Sequence, residues 1–190
     1  MALSPAAPEP DLRESRSTYV DLAGMWVDNN ADGTLGGGLR LGWNFAGVGP
    51  YFISTDIEVE ALYWQIDSDV DYGAEEGTAK TKNLPVMVNL RVNIPLDDTG
   101  IFLYGGGGGG IAYIDVDGTG PSGQSVDDNG AVFTYSFFAG LGVFISDQTS
   151  LRAGYRALWL TDDKFNDGSE EVTLNTERND IFELAFRLDF

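Results

Sequence analysis

The chain ends Phe182-Glu183-Leu184-Ala185-Phe186-Arg187-Leu188-Asp189-Phe190, with a large apolar side chain at every even position and a polar or small one at every odd position. A period of two marks a strand with one face apolar and one face polar, and this strand runs to the last residue. Chain termini usually fray. An amphipathic strand with no tail is therefore expected to be closed against another strand, as in a barrel.

Working outward from that end, the chain breaks into about eight alternating segments, at 17–27, 34–45, 55–66, 83–95, 100–114, 131–145, 149–161 and 179–190. The second sets Leu35, Leu39, Leu41, Trp43 and Phe45 against Thr34, Gly36, Gly38, Arg40, Gly42 and Asn44. The fourth sets Leu84, Val86, Val88, Leu90, Val92 and Ile94 against Met87, Asn89, Arg91 and Asn93, and the seventh sets Leu151, Ala153, Tyr155, Ala157 and Trp159 against Arg152, Gly154 and Arg156. The third is mixed at its far end, where Leu62 and Trp64 share a face with Glu58 and Glu60; the fifth carries Gly105–Gly110 and has no orientation of its own. Those six glycines precede no Lys-Ser/Thr pair and no helical pattern, so they read as a sharply bent strand with a packing reason, such as a large side chain across the interior, and not as a phosphate loop.

The connections alternate in length. Residues 46–50, 96–100 and 146–148 are short, whereas 67–80, 115–130 and 162–178 are long and acidic, and only 28–33 is a short member of the second set. Short turns on one side and long loops on the other are the pattern of an antiparallel up-and-down transmembrane β-barrel with both termini on the short-turn side. Eight strands make the smallest such barrels, with an interior that side chains fill. Residues 1–16, Pro-rich and without periodicity, read as a disordered lead-in, and 17–190 as a single barrel domain. Met1–Pro10 has neither the basic nor the apolar region of a secretory signal; the expectation is an exported protein in its mature form.

Composition narrows the function. The 190 residues contain no cysteine and no histidine, which removes thiolate chemistry and the commonest general base and metal ligand. A net charge of -19 opposes nucleic acid. No stretch approaches the ~20 apolar residues of a spanning helix, but strands cross a membrane with about 9–11 and hide the signal in alternation.

Alternation alone leaves open which face is outside, since a lipocalin-like soluble carrier shows the same period with the opposite sense. Residue types break the tie. The three lysines, Lys80, Lys82 and Lys164, fall in or beside the loops, while the faces opposite the apolar rows carry Arg40, Arg91, Arg152, Arg156 and Arg187 together with Asp21, Glu58, Glu60 and Glu183. Near-balanced charge is what a narrow filled lumen requires, because buried charges are tolerated when paired, and the arginine fork offers several donors. The expected pairs are Arg40 with Glu58, Glu60 with Arg91, and Arg156 with Glu183. The apolar faces, with Trp26, Trp43, Tyr63, Tyr155 and Trp159 toward strand ends, then meet lipid and its interfaces.

Phe190 with Leu188, Phe186, Leu184 and Phe182 resembles the C-terminal insertion signal of bacterial outer-membrane β-barrel proteins. The wider chain, through Gly-Leu-Arg-Leu-Gly-Trp at 38–43, Leu-Pro-Val-Met-Val-Asn at 84–89 and Ser-Leu-Arg-Ala-Gly-Tyr-Arg at 150–156, is similar to the small OmpA/OmpX-type barrels. That resemblance implies the bacterial outer membrane as location and, as partners, membrane lipid, lipopolysaccharide and the outer-membrane assembly machinery. The enzymes among such barrels are proteases, lipid A deacylases and palmitoyltransferases that use histidine, which this chain lacks, so a structural or surface-interactive role without catalysis or cofactor is expected. A soluble carrier of a hydrophobic ligand and a narrow ion-conducting pore are the rival readings.

Two motifs read as structure. Asp28-Asn29-Asn30-Ala31-Asp32-Gly33 matches the first half of a calcium loop, but its twelfth position is Leu39 in place of Glu, so a hairpin turn explains it better. The long-side connections, 28–33, 67–80, 115–130 and 162–180, hold 18 acidic and three basic residues, which read as a solvated, aggregation-resistant surface before they read as a weak divalent-cation site.

Overall fold

A computed structural model of the chain describes residues 18–28, 33–45, 53–71, 76–96, 99–119, 125–161, 164–167, 170–173 and 177–190. Ten strands follow one another: β1 (Thr18–Asp28), β2 (Thr34–Phe45), β3 (Ser54–Asp71), β4 (Glu76–Leu96), β5 (Ile101–Thr119), β6 (Ser125–Phe144), β7 (Thr149–Leu160), β8 (Lys164–Asp167), β9 (Glu170–Thr173) and β10 (Glu177–Asp189). Eight of them close a barrel in the order β1-β2-β3-β4-β5-β6-β7-β10, every neighbouring pair antiparallel, while β8 and β9 form a separate two-stranded hairpin. The eight-stranded up-and-down barrel expected from the alternation is the observed fold, and the expected lead-in, residues 1–16, lies outside the described residues.

The terminal strand closes the cylinder. β10 pairs with β1 from Tyr19↔Asp189 to Asp28↔Asp180, and the last amide, Phe190 N, donates to Thr18 O at 3.0 Å. At the short-turn end, here the lower end, Gly100 turns the chain from β4 into β5 at φ +74°, in the left-handed region where glycine carries no Cβ penalty. The β6–β7 turn is held by Ile145 N on Thr149 O at 2.9 Å.

At the upper end the strands differ from expectation. Residues 67–80 and 115–130 are not loops for most of their length: β3 and β4 stay paired up to Asp71↔Glu76, and β5 and β6 up to Thr119↔Ser125. Acidity suggests loops, but Val70, Thr78, Val116, Thr119 and Val126 in these stretches favour strands. Opposite charges across the ladder do the rest: Lys82 lies 3.0 Å from Asp115 and 2.8 Å from Asp117, and Lys80 lies 3.7 Å from Asp67. Four strands thus rise together beyond the point where β2 and β7 stop.

The outward face is apolar on each of the eight barrel strands across the stretch described by its side chains. Trp43 is 44% exposed and Phe182 55%, and the same face carries Leu22, Leu39, Leu41, Val88, Leu90, Phe137 and Leu141. The inward Trp43 that a soluble carrier predicts is not found. β5, which has no orientation in sequence, points Phe102, Tyr104, Ala112 and Ile114 inward and Ile101, Leu103, Ile111 and Tyr113 outward, and its ladders to β4 and β6 are unbroken across the glycines.

Candidate functional site

Parity places the charged side chains inside, and the register decides which of them meet. On β2 and β3, Arg40 stands opposite Glu60, and on β1 and β2 it stands opposite Asp21. Its guanidinium accordingly binds Glu60 and Glu183 through short charge-assisted hydrogen bonds and reaches Asp21 at 3.5 Å. Arg156 lies 2.9 Å from Glu60 and 3.7 Å from Glu183, so two arginines and two glutamates form one square, to which Asn89 donates at 2.6 Å and Ser136 accepts at 2.9 Å. Lower down, Arg91 meets Glu58 at 2.7 Å, and Arg152 pairs with Asp21 and approaches Glu58 at 3.8 Å.

Of the expected pairs, Arg156 with Glu183 is present. Arg40 with Glu58 and Glu60 with Arg91 are replaced by Arg40 with Glu60 and Arg91 with Glu58. The β2–β3 register differs from the expected pairing by two residues, and on β3–β4 Arg91 stands opposite Asp56, four residues from Glu60, and reaches Glu58 diagonally; both shifts keep parity and exchange partners. All eight predicted network residues, Arg40, Glu58, Glu60, Arg91, Arg152, Arg156, Glu183 and Arg187, are buried.

Asp56 was not singled out in sequence, although it shares the parity of Glu58 and Glu60. It accepts from Asn44 at 2.5 Å and from Asn93 and Arg187 at 3.0 Å each, and lies 3.1 Å from the Tyr19 hydroxyl, which also donates to Glu58. Arg187 stacks over the Tyr19 ring with its guanidinium carbon 3.5 Å from the centroid and also holds Asp189 at 2.6 Å. With Asp56 added, the five interior arginines face five buried carboxylates, Asp21, Asp56, Glu58, Glu60 and Glu183.

The arginines are also packed face-on against aromatic rings, a contact open to a planar cation. Arg156 lies 4.7 Å and Arg91 5.5 Å from the Phe138 centroid, while Arg91 and Arg152 lie 5.1 and 5.7 Å from that of Tyr104. Inward glycines make room for these rings. A Cβ on Gly154 or Gly140 would strike Tyr104, one on Gly142 would strike Phe102, one on Gly42 would strike Tyr19, and one on Gly106 would come within 2.8 Å of Phe138. In β5 the tightest limit on Gly106 is the Leu90 carbonyl of β4, which a Cβ there would strike. Gly108 and Gly110 serve close backbone approach, since a Cβ there would meet the carbonyls of Val88 and Val86 on β4.

Above the charges the interior turns apolar. Met25, Val27, Leu62, Trp64, Met87, Ala112, Ile114, Val132, Leu158, Leu160 and Ile181 form one buried cluster, with Ile66 and Val116 packed against it. The mixed end of the third segment is therefore inward-facing hydrophobic core.

Outside, the barrel carries aromatic rings toward both ends: Trp43, Phe45, Phe144 and Phe190 low, and Trp26, Tyr63, Tyr113, Tyr135, Trp159 and Phe182 high. One step above Trp26 and Phe182, the Tyr155 hydroxyl donates to Asp180 at 2.5 Å and Arg178 donates to it at 2.9 Å. The Tyr155 hydrogen bond first, and then Arg178, hold the Asp180 carboxyl below the usual carboxylate range. The five residues of the terminal row, Phe182, Leu184, Phe186, Leu188 and Phe190, are all exposed on this surface. The calcium-like motif falls largely outside the described residues, and among the described residues no three carboxylates gather in a metal-binding arrangement.

The family described as outer membrane protein beta-barrel domain matches residues 1–177. No curated protein matches the chain by sequence. Among solved structures, the outer membrane protein OprG of Pseudomonas aeruginosa superposes with a TM-score of 0.56 at 14% identity, covering 95% of this chain and 99% of that one. Neisserial surface protein A gives 0.51 at 11%, covering 91% and 96%, and the outer membrane protease OmpT of Escherichia coli gives 0.51 at 9%, covering 90% and 79%. At such identities the likeness is one of fold, and the fold is shared by a protease.

Proposed function

The chain belongs to the outer-membrane-protein β-barrel family, and from that membership we propose that it is a sealed, non-catalytic barrel whose interior charges hold its shape and whose upper end does its work at the cell surface. The observation that carries this reading is the interior itself. From Tyr19 and Asp56 at the lower mouth through the arginine–carboxylate network to the apolar cluster above it, the inward side chains are buried. A water path past Leu62, Trp64, Leu158 and Leu160 would have to cross a tightly filled, largely apolar layer whose buried polar side chains include Asn83, Thr134 and Asn179, and hydrophobic constrictions of this kind block ions.

The outward apolar row fits lipid contact. The terminal row Phe182 to Phe190 fits recognition by the outer-membrane assembly machinery, and the aromatic upper rim fits lipid and lipopolysaccharide. The absence of histidine from the sequence supports a non-enzymatic role, since no nucleophile paired with a base stands out.

The test is a planar-bilayer recording on chain refolded in detergent, with heat-modifiable gel migration as the check of folding. The expected result is migration that shifts on heating and no stable conductance steps. Reproducible single-channel steps would replace this reading by the narrow pore, and a folded, monodisperse chain in plain buffer would refute lipid contact.

A further inference from the structure

Asp56, at the lower mouth, is the interior carboxylate with the fewest arginines. Among the described residues Glu60 and Glu183 each meet Arg40 and Arg156, Glu58 meets Arg91 and Arg152, and Asp21 meets Arg40 and Arg152. Asp56 meets Arg187 alone, at 3.0 Å, and that guanidinium also holds Asp189 at 2.6 Å. Arg91 stands opposite Asp56 in the register of β3 and β4 but turns to Glu58 at 2.7 Å.

Neutral oxygens and amides stand where a second arginine would be. Asn44 donates to Asp56 at 2.5 Å, and the Asn93 amide nitrogen donates to Asp56 at 3.0 Å and to the Ser54 hydroxyl at 3.1 Å. Asp56 fixes the sense of the Asn93 amide, since the reverse would set its oxygen against a carboxylate. The other end of that amide, Asn93 Oδ1, is then a buried acceptor, and no donor reaches it among the described residues although Asn93 is only 8% exposed. A buried acceptor of this kind costs free energy unless a donor or a cation meets it. The way in is from below, where Asn44 and Ser54 sit half-buried at the lower ends of β2 and β3.

We propose that the lower mouth binds a small monovalent cation of the sodium class, with Asn93 Oδ1 and Ser54 Oγ as ligands and Asp56 as the counter-charge. The chemistry is that of a hard ion, which prefers carbonyl, hydroxyl and carboxylate oxygen. A single carboxylate shared with Arg187 matches one positive charge, whereas calcium sites gather several carboxylates, and no three gather here among the described residues. The ion supplies Asp56 with the second positive charge that each of the other four buried carboxylates takes from a second arginine. The site lies at the end of the barrel away from the proposed surface role and does not depend on it.

The experiment uses the full chain refolded in detergent and reads the denaturant midpoint as sodium chloride replaces choline chloride at constant ionic strength, which holds screening equal. A ligand that binds only the folded state raises stability with its concentration, so the midpoint is expected to rise with sodium along a saturable curve. Asp56→Asn is expected to abolish that response, and Asp180→Asn, at the opposite end, to leave it unchanged. Asn93→Asp adds a charge to the ligand set and is expected to lower the half-saturating sodium concentration at least about tenfold, a tightening that damage to packing does not produce. Sodium-23 line broadening by the wild type, lost in Asp56→Asn, is the direct reading. Equal midpoints in sodium and choline, an undiminished response in Asp56→Asn, or a response to calcium chloride alone would overturn the proposal. Heat-modifiable migration checks each variant for folding, and if Asp56→Asn does not refold, Asn93→Asp decides: no tightening overturns the site.

Discussion

Replacing Glu60 by methionine tests whether the interior charges are dry and mutually dependent. Glu60 is fully buried and accepts from Arg40, from Arg156 at 2.9 Å and from Asn89 at 2.6 Å. Glu60→Met keeps the volume and removes one of the two carboxylates of the square. Arg40 is left with Glu183 and the 3.5 Å contact to Asp21, and Arg156 with Glu183 at 3.7 Å and the Ser136 hydroxyl. Breaking one partner of a buried ion pair costs about 3–5 kcal/mol because the other charge is stranded. Two guanidiniums share this carboxylate, which puts the expected loss toward the upper part of that range. The double variant Arg40→Met/Glu60→Met removes a charge of each sign and should cost clearly less than the sum of the two single changes, a coupling of about 0.5–3 kcal/mol as found for residues in one network. The assay is reversible denaturant unfolding of refolded barrel in lipid vesicles, followed by tryptophan emission. A loss below about 1 kcal/mol for Glu60→Met, or strict additivity in the cycle, would refute the dry network and mean that water reaches these groups.

The glycine slots give a second comparison: Gly154→Ala pushes a Cβ onto the Tyr104 hydroxyl and to 2.9 Å from the Ala139 carbonyl, whereas Gly24→Ala on the outer face meets nothing within 4 Å, so unfolding should show a loss of about 1–3 kcal/mol for the first and little change for the second. Brominated lipid should quench Trp43 and Trp26 and spare Trp64, which is 0% exposed; variants retaining one tryptophan at a time measure this, and quenching of Trp64 alone would reverse the assignment of faces. Because the Asp180 carboxyl is held below its ordinary range in the folded barrel, its contribution is present above the unfolded carboxylate pKa and is lost as pH falls through the depressed value. Asp180→Asn should therefore lower stability near neutral pH and flatten the acid limb, the two proteins converging as pH falls, as read from denaturation midpoints between about pH 2 and 7.

Parity made the inside and outside of the barrel legible, and it did so because a strand has only two faces. Arg40, Arg91, Arg152 and Arg156 could be assigned to the lumen without any knowledge of their neighbours. Pairing needed more. A register shift of two residues on β2–β3, or of four on β3–β4, preserves every face and exchanges partners, so parity turns Glu58 and Glu60 inward without saying which arginine each meets. Asp56 is harder to read because it lies near the start of its strand, where alternation is short, although its parity is that of Glu58. The heights of β3 to β6 were hidden for a different reason. Above a membrane neither sheet face has to be apolar, so the contrast that marks a spanning strand fades at residues 67–80 and 115–130 while the backbone ladder continues.

The mixed third segment shows why the interior is built in two materials. Leu62 and Trp64 stand on the same face as Glu58 and Glu60, and a single rule for that face, polar or apolar, fails within one strand. An eight-stranded barrel is too narrow for bulk water and too wide for its inward residues to touch without filling. Buried arginines fill such a space only if each finds a carboxylate; Arg91, Arg152, Arg156 and Arg187 find a ring as well, and Tyr104, Phe102 and Tyr19 fit where a facing residue has no side chain. Arg91 and Arg152 flank Tyr104 because Gly140 and Gly154 leave room for it, and Arg156 and Arg91 flank Phe138 beside Gly106, which also lies close against the Leu90 carbonyl. The charged layer is thus confined to the heights where carboxylate, guanidinium, ring and glycine can be brought into register. Beyond it, toward the upper end, mostly hydrocarbon side chains fill the remaining width around the buried Asn83, Thr134 and Asn179, and Leu62, Trp64, Leu158 and Leu160 complete the seal above the charges.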